Sequence, residues 1–183
     1  MNRRTMVVGA LLVCAFGLTT RVTHAQTTTA QTARVCASAP EYRQLDFWVG
    51  EWEVRNSAGQ PGAGRAVAAS SVLRIIDSCV VYENYSEGEG FLGKSFNFYD
   101  ATLRKWRQTW VDNAGRVSEF LGEYSDGAMR FEGESHLPDG SKVLRHMTLF
   151  NLAPGRVRQL SEASRDGGKT WRVTYDFTYV RKK

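Results

Sequence analysis

An antiparallel all-β fold, closed into an up-and-down β-barrel of about ten strands, is what this sequence predicts. Three observations predict it. Apolar and polar residues alternate with a period of two after Leu45, turn signatures recur between these stretches, and no long amphipathic helix interrupts them. The turns are specific: Asp112-Asn113-Ala114-Gly115, Ser125-Asp126-Gly127, Pro138-Asp139-Gly140, Ala153-Pro154-Gly155 and Asp166-Gly167-Gly168. Connections this tight join antiparallel neighbours, because parallel strands need a long crossover. Such a run of strands either closes or leaves two long edges, and closure removes both. A two-sheet sandwich is the alternative that period-two patterning leaves open.

In order along the chain, Arg3 and Arg4 precede an apolar run from Met6 to Leu18, and Thr23 and Ala25 supply small residues for a signal peptidase. Residues 1–25 are therefore expected to be a signal peptide, with Gln26 the first mature residue. The apolar run is shorter than the roughly 20 residues that span a bilayer, so no stable membrane insertion is expected. Val13 stands before Cys14 where a lipoprotein signal needs Gly or Ala. Removing residues 1–25 leaves Cys36 and Cys79, an even count that reads as one disulfide in an oxidising compartment. Two unlinked thiols are the alternative. A periplasmic or secreted location follows from the same pattern.

Residues 26–40 read as a flexible polar arm and 41–183 as a single barrel domain. A helical turn is expected around Pro40–Leu45, where Pro40 suits a helix start. Strands are expected over Asp46–Arg55, Arg65–Ile76, Cys79–Glu87, Gly93–Asp100, Lys105–Asp112, Arg116–Tyr124, Ala128–His136, Lys142–Asn151, Arg156–Ser164 and Thr170–Val180. The last strand shows two faces, with Trp171, Val173, Tyr175, Phe177 and Tyr179 on one side and Arg172, Thr174, Asp176 and Thr178 on the other.

Composition narrows the function classes. At 183 residues, 42% hydrophobic and 23% charged, the chain is an ordinary globular one with room for one domain. Its net charge is +5, but Arg3, Arg4 and Arg21 leave with the signal peptide. What remains is 21 of the 24 Lys and Arg against all 19 Asp and Glu. That balance is too weak and too dispersed for electrostatic nucleic-acid binding.

Gly50-x-Trp52 lies on the first strand after the short helical turn, within Asp46-Phe47-Trp48-Val49-Gly50-Glu51-Trp52-Glu53-Val54. It resembles the opening motif of lipocalin-like (calycin) barrels. Together with Asp77-Ser78-Cys79-Val80-Val81-Tyr82-Glu83, Gly93-Lys94-Ser95-Phe96-Asn97-Phe98-Tyr99-Asp100 and Trp106-Arg107-Gln108-Thr109-Trp110-Val111-Asp112, it resembles a bacterial secreted family known as domain of unknown function 1579. The likeness covers most of 46–183. It implies a calycin-like barrel and export, and brings no established activity. In calycins Trp52 would close one barrel end above Gly50, with a late-strand Arg across the ring; Arg158 and Arg172 are both candidates.

Ser164-x-Asp166-x-Gly168-x-Thr170-Trp171 matches the Asp-box of sialidases, but one copy in a chain this short is expected to be a capped hairpin turn, not a glycosidase signature. Strand parity groups Glu83 with Tyr85, Asn97 with Tyr99, and Gln108 with Trp106 and Trp110. If these faces point inward, they form an aromatic-walled pocket in which Glu83, Asn97 and Gln108 orient a small ligand. If not, the three polar residues satisfy one another or face solvent. The expected function is an exported carrier for a small apolar or amphipathic molecule, with no catalytic residues, metal or cofactor assigned. One alternative is a barrel with haem on His146, or with Glu83 as an acid–base group of raised pKa. Another is a cell-envelope interaction module using the aromatic face of Trp171–Tyr179.

Overall fold

In a computed structural model, residues 35–183 are described, apart from positions 59, 61, 89 and 138. The expected signal peptide of residues 1–25 and positions 26–34 of the arm lie outside the described residues. Two 3-10 turns, Pro40–Arg43 and Asp46–Trp48, precede ten antiparallel strands. These are β1 (Gly50–Asn56), β2 (Ala66–Ile75), β3 (Val80–Ser86), β4 (Leu92–Asp100), β5 (Lys105–Asp112), β6 (Val117–Ser125), β7 (Ala128–His136), β8 (Lys142–Ala153), β9 (Arg156–Ser164) and β10 (Arg172–Arg181). Each strand pairs with its sequence neighbours, and β1 pairs with β10 to complete a closed barrel. The seam runs from Trp52 opposite Arg181 to Asn56 opposite Phe177. A sandwich is thereby excluded.

Most strand ends fall within a residue or two of the sequence expectation, and two larger departures have physical reasons. The strand expected from Asp46 starts at Gly50, because Asp46–Trp48 winds into a second 3-10 turn that buries Trp48 completely. In β10 the two-faced pattern breaks. Val173 stands opposite Glu162 and Tyr175 opposite Ser161, so a bulge at Thr174 shifts the alternation by one residue. Tyr175, Phe177 and Tyr179 consequently lie on the inner face, while Val173 is exposed and Trp171 stacks on the His146 ring at 3.6 Å. The continuous aromatic face expected over Trp171–Tyr179 is therefore divided between the two sides of the wall.

Both 3-10 turns plug one end of the barrel. Leu45 and Trp48 from this segment join Trp52, Val54, Val72, Val81, Trp106, Met129, Phe131, Met147, Leu149 and Val157 in a packed apolar core that reaches Tyr179 at the cavity floor. Specific polar contacts dock the plug: Trp106 Nε1 donates to Gln44 Oε1 (2.8 Å), Arg74 donates to the Tyr42 carbonyl (3.0 Å), and Arg74 also pairs with Asp46. The Cys36–Cys79 disulfide ties the arm to the β2–β3 turn at this same end. Its sequence separation of 43 corresponds to roughly 4 kcal/mol of lost unfolded-chain entropy.

Trp52 sits at the floor of the plug, its indole N–H donating to the Trp48 carbonyl at 2.8 Å. The arginine across its ring is neither Arg158 nor Arg172 but Arg181, whose guanidinium carbon is 4.5 Å from the ring centroid. Arg181 also donates to the Val49 carbonyl at 3.0 Å. Gly50 makes this possible: its φ is +148°, and a Cβ there would overlap the Arg181 guanidinium. Arg158 instead forms a two-pronged pair with Asp176 on the outer wall, at 2.9 and 2.8 Å, and Arg172 is exposed.

Candidate functional site

Opposite the plug the lumen opens into a cavity of about 350 Å³. Parity places its walls. From β3 come Glu83 and Tyr85, from β5 Gln108 and Trp110, from β6 Ser118 and Phe120, and from β8 Arg145. β9 supplies Gln159 and Ser161, and β10 supplies Thr174, Tyr175, Phe177 and Tyr179. Glu87, Phe91, Asp112 and Arg116, from the β3–β4 and β5–β6 turns and adjoining strand ends, complete the mouth. Aromatic rings pack around it, with Phe91 stacked on Trp110 at 6.2 Å, Tyr85 edge-on to both, and Tyr175 stacked on Phe177 at 5.1 Å.

Interior glycines make space for these rings. A Cβ on Gly93 would overlap the Trp110 indole, and one on Gly133 would overlap the Glu119 carbonyl and crowd the Phe120 ring. Small residues thus stand where large neighbours from adjacent strands lie across the wall.

At the floor is a polar network built on Glu83, which is 1% exposed. Ser70 Oγ donates to Oε1 at 2.8 Å and Ser95 Oγ to Oε2 at 3.2 Å. Asn97 Nδ2 donates to Ser95 Oγ at 2.9 Å, and Gln108 Nε2 donates to Asn97 Oδ1 at 2.7 Å. The Tyr179 hydroxyl lies 3.0 Å from Glu83 Oε1 and 2.8 Å from Gln159 Oε1, and its one proton serves one of them at a time. Burial pushes the Glu83 carboxyl up to about 7, against the opposing pull of its bonds from Ser70, Tyr179 and Ser95. Burial likewise pushes the Tyr175 phenol up to about 12.

Of the residues singled out from sequence, Glu83, Tyr85, Gln108 and Trp110 line the cavity. Asn97 does not; it lies beneath, linking Gln108 to Ser95. Tyr99 and Trp106 belong to the plugged end, where Tyr99 meets Tyr42 edge-on at 5.4 Å and Trp106 bonds Gln44. Glu83, Asn97 and Gln108 do satisfy one another through Ser95, and two of the three also face the cavity.

The sequence reading missed Arg145, Gln159, Ser161 and the inner aromatics of β10. Arg145 shared a face with Val143, Met147 and Leu149, a signal hidden because Leu144 and Phe150 made the other face apolar too. His146 falls on that other face, stacked against Trp171 outside the wall, so a haem in the lumen is beyond its reach.

The Asp-box residues cap the β9–β10 turn. Asp166 accepts from Ser164 Oγ, the Thr170 amide and Thr170 Oγ1 at 2.7, 2.9 and 2.6 Å, and these bonds, led by the Thr170 hydroxyl, hold its carboxyl down at about 2. The Gly168 amide donates to Ser164 Oγ, and Trp171 Nε1 donates to the Gly168 carbonyl. Compared with models of protein families and with curated protein sequences, the chain matches none. Among the described residues, no helix is long and apolar enough to cross a membrane.

Proposed function

We propose that this protein is an exported small-molecule-binding barrel that holds a small amphipathic ligand in its lumen. The observation that carries this reading is the cavity itself: about 350 Å³, plugged at one end, aromatic along its walls and polar at its floor. That volume falls in the range of small-ligand sites, and a few fixed polar groups in an aromatic pocket orient a ligand without consuming it. Export is supported by the N-terminal pattern of residues 1–25, by the Cys36–Cys79 disulfide and by the resemblance to domain of unknown function 1579, which rests on the segments quoted above.

Native mass spectrometry on protein purified from its own host is the test. A retained mass is expected, and it should be lost when Ser161→Trp fills the lumen of an otherwise folded barrel. Protein that is empty as isolated and takes up no small apolar compound overturns the proposal. N-terminal sequencing of the same material should begin at Gln26.

A second reading, general acid–base chemistry on the bound molecule, has one observation in its favour: the Glu83 carboxyl at the cavity floor is pushed up to about 7. Carbon-13 NMR of labelled Glu83 decides it. Titration in the ordinary carboxyl range ends this reading and leaves the binding function untouched.

A further inference from the structure

Among the described residues of the lumen, Arg145 is a cation whose guanidinium is only partly engaged by hydrogen bonds. Its Nε donates to Ser135 Oγ at 2.9 Å. Among the described residues no carboxylate lies within ion-pair distance of it, although Glu83, Glu87 and Asp112 line the same cavity. Each of those acids is already engaged. Glu83 accepts from Ser70, Ser95 and Tyr179, Glu87 from the Tyr85 hydroxyl, and Asp112 from Trp110, Arg116 and the Ala114 amide. A guanidinium has five N–H donors, and with Nε committed to Ser135 its two terminal nitrogens remain as a planar fork. A half-buried cation without a counter-charge is costly, and an anion brought by a ligand removes that cost.

The surroundings define the rest of the ligand. Hydroxyls of Ser161 and Thr174, 2.9 Å apart, share the cavity with Arg145, and Tyr175 is a neutral phenol there. Trp110, Phe120 and Phe177 supply aromatic surface in the same chamber. We propose that Arg145 is the anion-recognising residue of the lumen and that its ligand is a small ring-bearing carboxylate, with the carboxylate on the guanidinium fork and the ring against Trp110, Phe120 and Phe177. The inference rests on the binding function proposed above and narrows it to one chemical class. A cavity at the small end of the ligand-site range sets the size at one or two rings.

The matched probes are 2-naphthoate and 2-naphthamide, which share a shape and differ in charge, titrated calorimetrically into the mature protein. A charge-assisted bond in a partly desolvated site predicts that wild type binds the naphthoate about tenfold or more tighter than the amide. Arg145→Met should abolish that preference while leaving the amide affinity within about threefold, since van der Waals contact with the ring is unchanged. Should Arg145→Met fail to fold by circular dichroism, Arg145→Lys decides: it keeps the charge and loses the fork, and a reduced preference is expected.

If wild type binds both probes equally, or either variant keeps the full preference, the carboxylate assignment is overturned and the lumen remains a binding site. If neither probe binds wild type, the ring-bearing carboxylate is overturned while the lumen reading stands or falls on the retained mass; if Ser161→Trp leaves probe binding undiminished, the lumen reading fails and takes this inference with it.

Discussion

The two ends of this barrel are made from the same ten strands with the same alternation, yet one is a packed core and the other a lined chamber. At the plugged end the inward positions are filled by Trp48, Trp52, Trp106, Met129, Met147 and Leu149, all fully or nearly fully buried. At the open end they carry Glu83, Gln108, Arg145, Gln159 and Ser161 among aromatic rings. The contrast shows how a packed core and an open cavity are separated along one axis. Close packing needs complementary apolar volumes, supplied here partly by the N-terminal segment, whereas a chamber needs large rings at its edge and polar groups in the middle.

The comparison is broken most directly at Trp52. Trp52→Ala removes a fully buried indole, the donor to the Trp48 carbonyl and the surface under Arg181, and should cost about 3–5 kcal/mol. Urea unfolding measures it; a loss under about 1 kcal/mol would mean that the plugged end is not the stability core.

Next in size is Glu83, with the opposite sign. Its folded pKa of about 7 stands above the usual 4.5. Between these values the unfolded chain ionises and the folded chain does not, so stability falls as pH rises from about 4.5 to 7 and then levels. Glu83→Gln should remove this slope and stabilise the barrel by about 3 kcal/mol at pH 8, read from unfolding at several pH values. The acids whose pKa values are lowered, among them Asp112 and Asp176, lose their contribution only below about pH 4 and leave that window clear.

Arg116→Ala, at the mouth, sharpens the comparison from the other side. It removes the counter-charge of Asp112, whose side chain is only 2% exposed, but the Trp110 indole and the Ala114 and Arg116 amides still donate to that carboxylate, so a loss of about 1–2 kcal/mol is expected by thermal melt.

Period-two patterning made the barrel legible, because alternation and tight turns depend only on neighbouring residues. It also grouped Glu83 with Tyr85 and Gln108 with Trp110 but left open which faces point inward, and the structure turns these four toward the cavity. What the pattern does not encode is height along the axis, which strand tilt and the location of the plug decide. Tyr99 and Trp106 share parity with residues of the chamber and still lie at the plugged end. Nor does local pattern reveal a bulge: one extra residue at Thr174 moved Trp171 and Val173 off the inner face on which Tyr175 begins. Arg181 was invisible for a related reason, since only closure of the seam brings the chain's last residues over Trp52.

That seam has a consequence for how the molecule is completed. β1 finds its second partner only in β10, the last of the described strands. Until the final strand docks, the first one presents a bare row of amides and carbonyls, Arg181 is absent from the Trp52 indole, and Phe177 and Tyr179 are missing from the inner wall. A fragment lacking 172–181 has unpaired margins on both β1 and β9 and an unfinished chamber, so the cavity wall and the closed edge of the sheet depend on the same strand.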